Sequence, residues 1–165
     1  MKGEIPENRR LTINNTDYEK LELFFESARK ILGREANNNL ENNNSEIAEF
    51  EKENDIKLSN LLKLYFKIVN GINDGEWIST LYSLENITHI TKHDWFTSND
   101  YKSEYYKDFY IIGDIMINSH QWAIILNKNG KEEKIIEMDT ETKIADNMVE
   151  FLMKFINESP YSLVK

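Results

Sequence analysis

Apolar residues near the N-terminus recur at helical spacing. After a polar arm over residues 1–15, Thr16 and Glu19 have the spacing of a capping box. The stripe that follows consists of Leu21, Phe24, Phe25, Ala28, Ile31 and Leu32, and Gly33 is a natural helix end. This pattern predicts a first amphipathic helix. The Asn-rich stretch over residues 34–44 predicts a connecting loop, because asparagine side chains compete for backbone hydrogen bonds.

Two more helices are predicted before residue 72. Ser45 is a suitable N-cap for a short helix whose inner side carries Ile47, Phe50, Glu51 and Asn54 and whose outer side carries Glu46, Glu49 and Glu53. Ser59 is the N-cap of the next helix. Its core stripe consists of Leu61, Leu62, Tyr65, Ile68 and Val69, and Asn70-Gly71 predicts a left-handed end.

The second half of the chain reads mainly as strands. "EWISTLY" (76–82) and "DFYIIG" (108–113) are rich in β-branched and aromatic residues, and residues 120–139 predict a hairpin with Asn129-Gly130 in its turn. Both faces of the strand around Trp122 are apolar, which predicts a central position in the sheet. The final stretch, residues 142–159, predicts an amphipathic helix with the stripe Ile144, Met148, Phe151, Leu152 and Phe155.

This order of elements predicts an α+β fold. Helices come first, a run of antiparallel-capable strands follows, and one helix closes the chain, which differs from the alternation of a parallel sheet. At 165 residues the chain is long enough for one domain, so we expect a single domain over 1–165 with its core motifs in 45–157. With no cysteine, no secretory h-region and no long apolar run, we expect a cytoplasmic protein.

The net charge of -9 bears on the partner. Nucleic-acid affinity comes chiefly from lysine and arginine, so this charge disfavours a nucleic-acid partner. It favours a basic protein, because an acidic surface speeds encounter with one. The simpler alternative, that acidity only keeps the protein soluble, remains open at this point, as does the oligomeric state.

Several short motifs follow one another in the order typical of one family. They are Ile47, the hydrophobic-Glu pair Phe50-Glu51, Leu58-Ser59, the aromatic pair Tyr65-Phe66 and Asn70-Gly71. "TLYSLENI" (80–87), "DFYIIGD" (108–114) and "IADNMVEFL" (144–152), which includes Phe151 and Leu152, come after them. In this order they resemble the SUKH superfamily, which contains the yeast cell-wall-assembly regulator and many bacterial immunity proteins. The family has proline where Ser59 stands, and both residues suit a helix start.

The resemblance implies a fold and a class of function. It implies an α+β domain whose mixed, largely antiparallel sheet is wrapped by N-terminal helices and a C-terminal helix. It implies no catalysis and no cofactor. Bacterial members are thought to bind and neutralise toxins, commonly nucleases, that competing cells deliver.

His89 and His93 raise the alternative of a metal site. The HExxH motif needs glutamate directly after the first histidine, where Ile90 stands. In a strand the two histidines would be about 13 Å apart, so only a helix would let them share an ion. A helix after Ser83 would place both on its outer face, away from the core. We therefore interpret them as a surface pair and assign no metal ligand and no catalytic residue.

Two segments interleave aromatic and acidic residues as protein interfaces do. The candidate partner-binding residues are Asp74, Glu76 and Trp77 in the first segment and Asp94, Trp95, Asp100, Tyr101, Glu104 and Tyr105 in the second. For any one aromatic residue, a place in the core is the competing interpretation. As a region, Asp94 to Asp108 is the preferred candidate.

These observations predict a non-catalytic protein-binding module. The leading hypothesis is a bacterial immunity protein that neutralises a basic toxin domain, without a nucleic-acid or membrane partner. The alternatives are a regulatory scaffold that recruits cellular enzymes, as in cell-wall assembly control, and a metal-dependent enzyme built on His89 and His93.

Overall fold

The computed structural model describes residues 18–32, 42–74, 79–93, 99–116 and 119–158. The helices in these ranges are α1 (Tyr18–Ile31), α2 (Asn42–Asn54), α3 (Asn60–Ile68) and α4 (Met148–Asn157). The strands are β1 (Ile72–Asp74), β2 (Ser79–Leu81), β3 (Thr88–His89), β4 (Phe109–Ile115), β5 (His120–Ile125), β6 (Ile135–Glu137) and β7 (Thr142–Ala145). No helix among these residues has the length and apolar character needed to cross a bilayer.

The strands form one sheet in the order β1-β2-β4-β5-β6-β7. β3 also pairs with β4, so that β2 lies opposite Gly113–Ile115 and β3 lies opposite Tyr110 and Ile111 along the same edge. Every pairing between the described strands is antiparallel. The predicted α+β class with a largely antiparallel sheet is therefore confirmed, and β5 is central as its two apolar faces predicted.

The helices cover one face of the sheet. Trp122 of β5 is fully buried there, with its ring 5.3 Å from that of Phe151 and 5.9 Å from that of Phe155, both on α4. Phe25 of α1 packs edge-on against Tyr65 of α3 at 5.8 Å. Because these rings come from three helices and the central strand, the main core joins the two ends of the described chain.

The opposite face of the sheet carries a smaller apolar cluster. Its buried members are Ile90, Phe109, Ile111, Ala123, Ile136 and Met138. Tyr101 and Tyr106 pack against this cluster from two single-turn helices, Asn99–Lys102 and Glu104–Tyr106. Short turns replace long helices on this side, so its aromatic side chains remain partly exposed.

The N-terminal predictions are mostly confirmed, with one error. Leu21, Phe24, Phe25 and Ala28 are the buried stripe of α1, while Thr16 and Gly33 lie outside the described residues. Ser45 is not an N-cap, because α2 already begins at Asn42 and Ser45 lies in its first turns. The predicted loop over 34–44 therefore ends earlier, since a run of asparagines does not prevent a helix that buries Ile47.

Two predicted helices in the second half are wrong in extent. Thr142–Ala145 is a strand that pairs with β6, and α4 begins only at Met148 after Asn147, whose side chain accepts from the Glu150 amide at 3.0 Å. After Ser83 the chain makes a single turn at Leu84–Asn86, the strand β3 and another turn at Ile90–Lys92. β-Branched residues occupy both segments, which favours extended backbone over a continuous helix.

The start of α3 is tied to the β5–β6 connection. Ser59 caps the helix, as predicted, by accepting from the Leu62 amide at 3.1 Å. The Ser59 amide donates to Glu133 Oε2 at 3.0 Å, and the Ser59 hydroxyl donates to the same carboxylate. Glu133 is buried, which raises the pKa of its carboxyl, while the two bonds from Ser59 lower that pKa and so offset part of the rise.

We predict that Ser59→Pro destabilises the fold although the backbone accepts proline. The φ of Ser59 is -65°, the angle that proline prefers, so proline adds no backbone strain at this position. The effect on stability then comes mainly from the loss of the amide and hydroxyl that donate to Glu133. Because the buried Glu133 carboxylate is left unpaired, the free energy of unfolding should fall by about 2 kcal/mol near neutral pH. With the donors gone the carboxyl pKa rises further, so the loss grows as pH rises through that pKa.

Urea denaturation at about pH 5 and about pH 8 measures this effect. Ser59→Ala keeps the amide donor and should lose less, and Ser59→Pro should cost less in a Glu133→Gln background, which has no buried charge. An equal loss for Ser59→Pro at both pH values would contradict the role given to Glu133.

Candidate functional site

α2 presents a row of carboxylates beside an apolar stripe. Ile47 is buried, and the half-buried Phe50 ring packs edge-on against Tyr110 of β4 at 6.2 Å. Glu46, Glu49 and Glu53 lie on the exposed side of the helix. The sequence predicted this acidic outer face, because residues three and four apart share one side of a helix.

Glu51 anchors the end of α2 to the start of α3. Its Oε1 accepts from the Leu58 amide at 2.8 Å and lies 3.0 Å from the Lys63 ammonium. Leu58 itself is buried. The hydrophobic-Glu pair of the family motif thus has a structural function, since Phe50 seats the helix on the sheet and Glu51 fixes the chain that leaves it.

Asn70 and Gly71 position a second segment beside α2. Both residues have left-handed backbone angles, φ 47° and 82°, as their sequence predicted. Asn70 Oδ1 accepts from the Leu84 amide at 2.9 Å. A Cβ atom on Gly71 would lie 2.5 Å from the Leu81 carbonyl oxygen and from the Ser83 amide nitrogen. The end of α3 therefore sits directly on the backbone of residues 81–84.

An acidic groove lies between α2 and the Leu84–Lys92 segment, with a volume of about 510 Å³. Its charged rim consists of Glu46, Glu49, Glu53, Glu85 and Lys92. Its inner wall includes Phe50, Leu84, Ile87 and His89. Four glutamates and one lysine leave three net negative charges when His89 is neutral, and a concave surface concentrates their field.

His89 is a structural residue of the groove. Its Nε2 lies 2.9 Å from the Lys107 carbonyl, which only accepts, so Nε2 carries the proton. Its Nδ1 then accepts from the Thr91 hydroxyl at 2.7 Å and from the Thr91 amide at 3.2 Å. Its ring also packs edge-on against Tyr110 at 5.2 Å. Both ring nitrogens are engaged within the protein.

The hypothesis of an ion shared by His89 and His93 is not supported. The helix that such an ion would require does not form, because His89 belongs to β3 and His93 follows a separate turn. The projection that placed both histidines together on an outer helix face, as a surface pair, was therefore wrong. The His93 ring stacks on Tyr82 with centroids 6.4 Å apart. In the described ranges neither histidine belongs to a group of three His, Asp or Glu side chains close enough to hold one ion.

A tyrosine surface, formed by Tyr101, Tyr105 and Tyr106, lies on the other face of the sheet. The Tyr106 ring is 5.0 Å from Tyr101, 4.7 Å from Tyr105 and 5.3 Å from Phe109. Tyr105 is 59% exposed, so it is available to a partner. The hydroxyl of Tyr106 donates to Glu141, and this bond raises its pKa to about 12.

Acidic groups surround the tyrosine surface. Burial raises the pKa of Tyr101, and Glu141, Asp100 and Asp139 raise it further through their charges. Asp100 and Glu104 are exposed at the rim. The structure therefore brings together four of the predicted binding residues, namely Asp100, Tyr101, Glu104 and Tyr105.

The other predicted binding residues do not join this surface in the described structure. Asp74 is the last residue of β1. Glu76, Trp77, Asp94 and Trp95 lie outside the described residues. The acidic groove was missed as a site because its second wall depends on the contact between Asn70 and Leu84, which no local pattern reveals.

The family motif and the fold agree with a comparison against protein-family models. The model described as SMI1 / KNR4 family (SUKH-1) matches residues 42–154, which is more than half of the chain. The match runs from the start of α2 into α4 and includes both walls of the groove. No curated protein matches the chain.

We predict that Gly71→Ala destabilises the protein by about 3 kcal/mol or more, because it combines a strained positive φ with a clash against backbone. Gly130→Ala is the matched control. Gly130 also has a positive φ, 62°, but its added Cβ would lie 3.0 Å from the nearest atom, the Lys57 carbonyl oxygen. Chemical denaturation of both variants measures the loss in the free energy of unfolding of each. A similar loss in the two variants would contradict the cost assigned to the close approach of Gly71 to the Leu81–Ser83 backbone.

Proposed function

The chain belongs to the SMI1 / KNR4 family (SUKH-1), whose members are protein-interaction modules, and from that premise we propose that it is a bacterial immunity protein. It acts in the cytoplasm, without catalysis, by binding a cognate toxin domain and covering the surface that the toxin needs. The family is generally one of non-catalytic binding modules, which supports a stoichiometric action.

The acidic groove is the observation that carries this proposal. Its rim offers four carboxylates, and its inner wall offers the apolar surfaces of Phe50, Leu84 and Ile87. Such a surface suits a segment rich in lysine and arginine, because the ammonium or guanidinium groups pair with the rim while their aliphatic stems cover the apolar wall. The partner is therefore a basic protein.

A toxin that acts on nucleic acid meets this description. Nucleases bind the phosphate backbone through lysine and arginine, and the same residues would enter an acidic groove. The net charge of -9 also accelerates encounter with a basic domain through long-range attraction. Binding there would exclude the nucleic acid from the toxin.

The tyrosine surface is a second place where a partner could bind. It lies across the sheet from the groove, because Phe50 and Tyr110 pack with the helices whereas Tyr101 and Tyr106 pack on the smaller cluster. Because the two surfaces lie on opposite faces of the sheet, a small toxin domain would bind at one of them. Variants of each surface therefore show which of the two binds the toxin.

We predict that Glu49→Gln/Glu53→Gln weakens binding of the co-encoded toxin domain about tenfold at low salt, which corresponds to about 1.4 kcal/mol. The measurement is isothermal titration calorimetry between about 50 and 300 mM salt, and the variant should also show a weaker salt dependence. The matched control is Glu22→Gln/Glu132→Gln, which removes two exposed charges outside the groove. Its affinity should stay within about twofold of the parent protein at each salt concentration.

Tyr105→Ala is the corresponding variant of the tyrosine surface. If it abolishes binding while the groove variant binds normally, the groove is not the interface. Co-expression tests immunity itself, because the chain should protect cells from the neighbouring toxin. Without protection, and with housekeeping enzymes recovered in a pull-down, the protein would instead be a regulatory scaffold.

A further inference from the structure

Three side chains with metal-binding groups meet where β5 begins and β6 ends. They are His120, the first residue of β5, Glu137, the last residue of β6, and Asp139 in the turn that follows. Their ligand atoms all lie within 4.8 Å of one another. His120 Nδ1 is 2.6 Å from Asp139 Oδ2 and 3.8 Å from Glu137 Oε1. An ion such as Zn²⁺ holds its nitrogen and oxygen ligands at about 2.0 to 2.2 Å. One ion could therefore contact all three side chains after only small side-chain movements.

Glu137 is held in place by the turn itself. Its side chain is fully buried, and its carboxylate accepts from the Asp139 amide at 3.1 Å, the Thr140 amide at 2.9 Å and the Thr140 hydroxyl at 2.6 Å. Of these bonds, Oε2 accepts both from Thr140, whereas Oε1 accepts only the one from the Asp139 amide and keeps a second lone pair available. Outer hydrogen bonds of this kind orient the ligands of metal sites.

The charge around these side chains is negative and poorly balanced. Among the described residues neither Glu137 nor Asp139 forms an ion pair with a lysine or arginine. His120 is the group that pairs with both carboxylates, and it is charged only when protonated. A buried carboxylate without a counter-charge is costly, so a bound cation would stabilise this corner of the sheet.

The hydrogen bonding of His120 points the same way. Its Nδ1 atom is buried and makes no hydrogen bond of acceptable geometry with the described residues, although Asp139 Oδ2 lies so close. By contrast, both ring nitrogens of His89 are satisfied by Thr91 and Lys107. A buried imidazole nitrogen that faces two carboxylates without a proper hydrogen bond is placed as a metal ligand would be.

We propose that His120, Glu137 and Asp139 bind a divalent first-row transition-metal ion. One imidazole nitrogen with two carboxylate oxygens suits Zn²⁺ or Mn²⁺, whereas Mg²⁺ and Ca²⁺ prefer an all-oxygen set. The ion would fasten the turn after β6 to the start of β5. It would lie apart from the acidic groove, so the proposal is independent of the proposed function.

The test uses untagged full-length protein freed of metal by chelation and dialysis. Calorimetric titration with Zn²⁺ or Mn²⁺ should give one site per chain. Asp139→Asn and His120→Gln should each weaken binding at least about tenfold. The matched control is Glu141→Gln, which removes a nearby exposed carboxylate outside the three. It should leave affinity within about twofold, and the circular dichroism of all variants should match that of the parent protein.

A second measurement locates the ion without relying on variants. Mn²⁺ broadens nearby proton signals, so the ring signals of His120 should broaden before those of His89 and His93. Absence of binding up to about 1 mM of either ion would overturn the proposal. Equal weakening of metal affinity by Glu141→Gln and Asp139→Asn would also overturn it, because that result indicates diffuse attraction to acidic side chains. An unchanged metal affinity in His120→Gln would overturn it as well.

Discussion

The turn at Asn70-Gly71 is the constraint on which the arrangement of the groove depends. It ends α3 with two left-handed residues, and it brings the helix end within contact of the backbone at Leu81–Ser83. The Asn70 side chain then holds the Leu84 amide. Leu84 and Ile87 enter the core from this point, while Glu85 remains on the surface. One wall of the acidic groove therefore exists because α3 ends in this left-handed conformation.

Carboxylates serve two purposes in this acidic chain. Glu51, Glu133 and Glu137 are half or fully buried, and each accepts hydrogen bonds from backbone amides at a bend of the chain. Their removal would leave amides without partners, so these residues belong to the fold. The exposed carboxylates of the groove make no comparable contribution to the core. A family that keeps the first set can vary the second, which would change the partner without changing the fold.

Local patterns predicted the elements whose causes are local. Ser59 caps α3 through its own side chain, and the two apolar faces around Trp122 correctly placed β5 inside the sheet. Ile144 was wrongly given to the last helix, because its spacing to Met148 suits a helix while Asn147 starts that helix later. The helix considered through His89 was also wrong, because the β-branched residues around it favour extended backbone. The groove and the His120–Asp139 contact join residues far apart in sequence, so only the folded sheet brings them together.

We propose that the motif residues build a fixed groove whose carboxylates bind a basic partner. Hydrogen–deuterium exchange of the protein with and without the co-encoded toxin domain tests it most directly, because bound segments exchange more slowly. If the groove binds the toxin, exchange should be slower in residues 46–54 and 84–92 when the toxin is present, and unchanged in residues 99–108. Slower exchange confined to residues 99–108, with both walls of the groove unchanged, would contradict it.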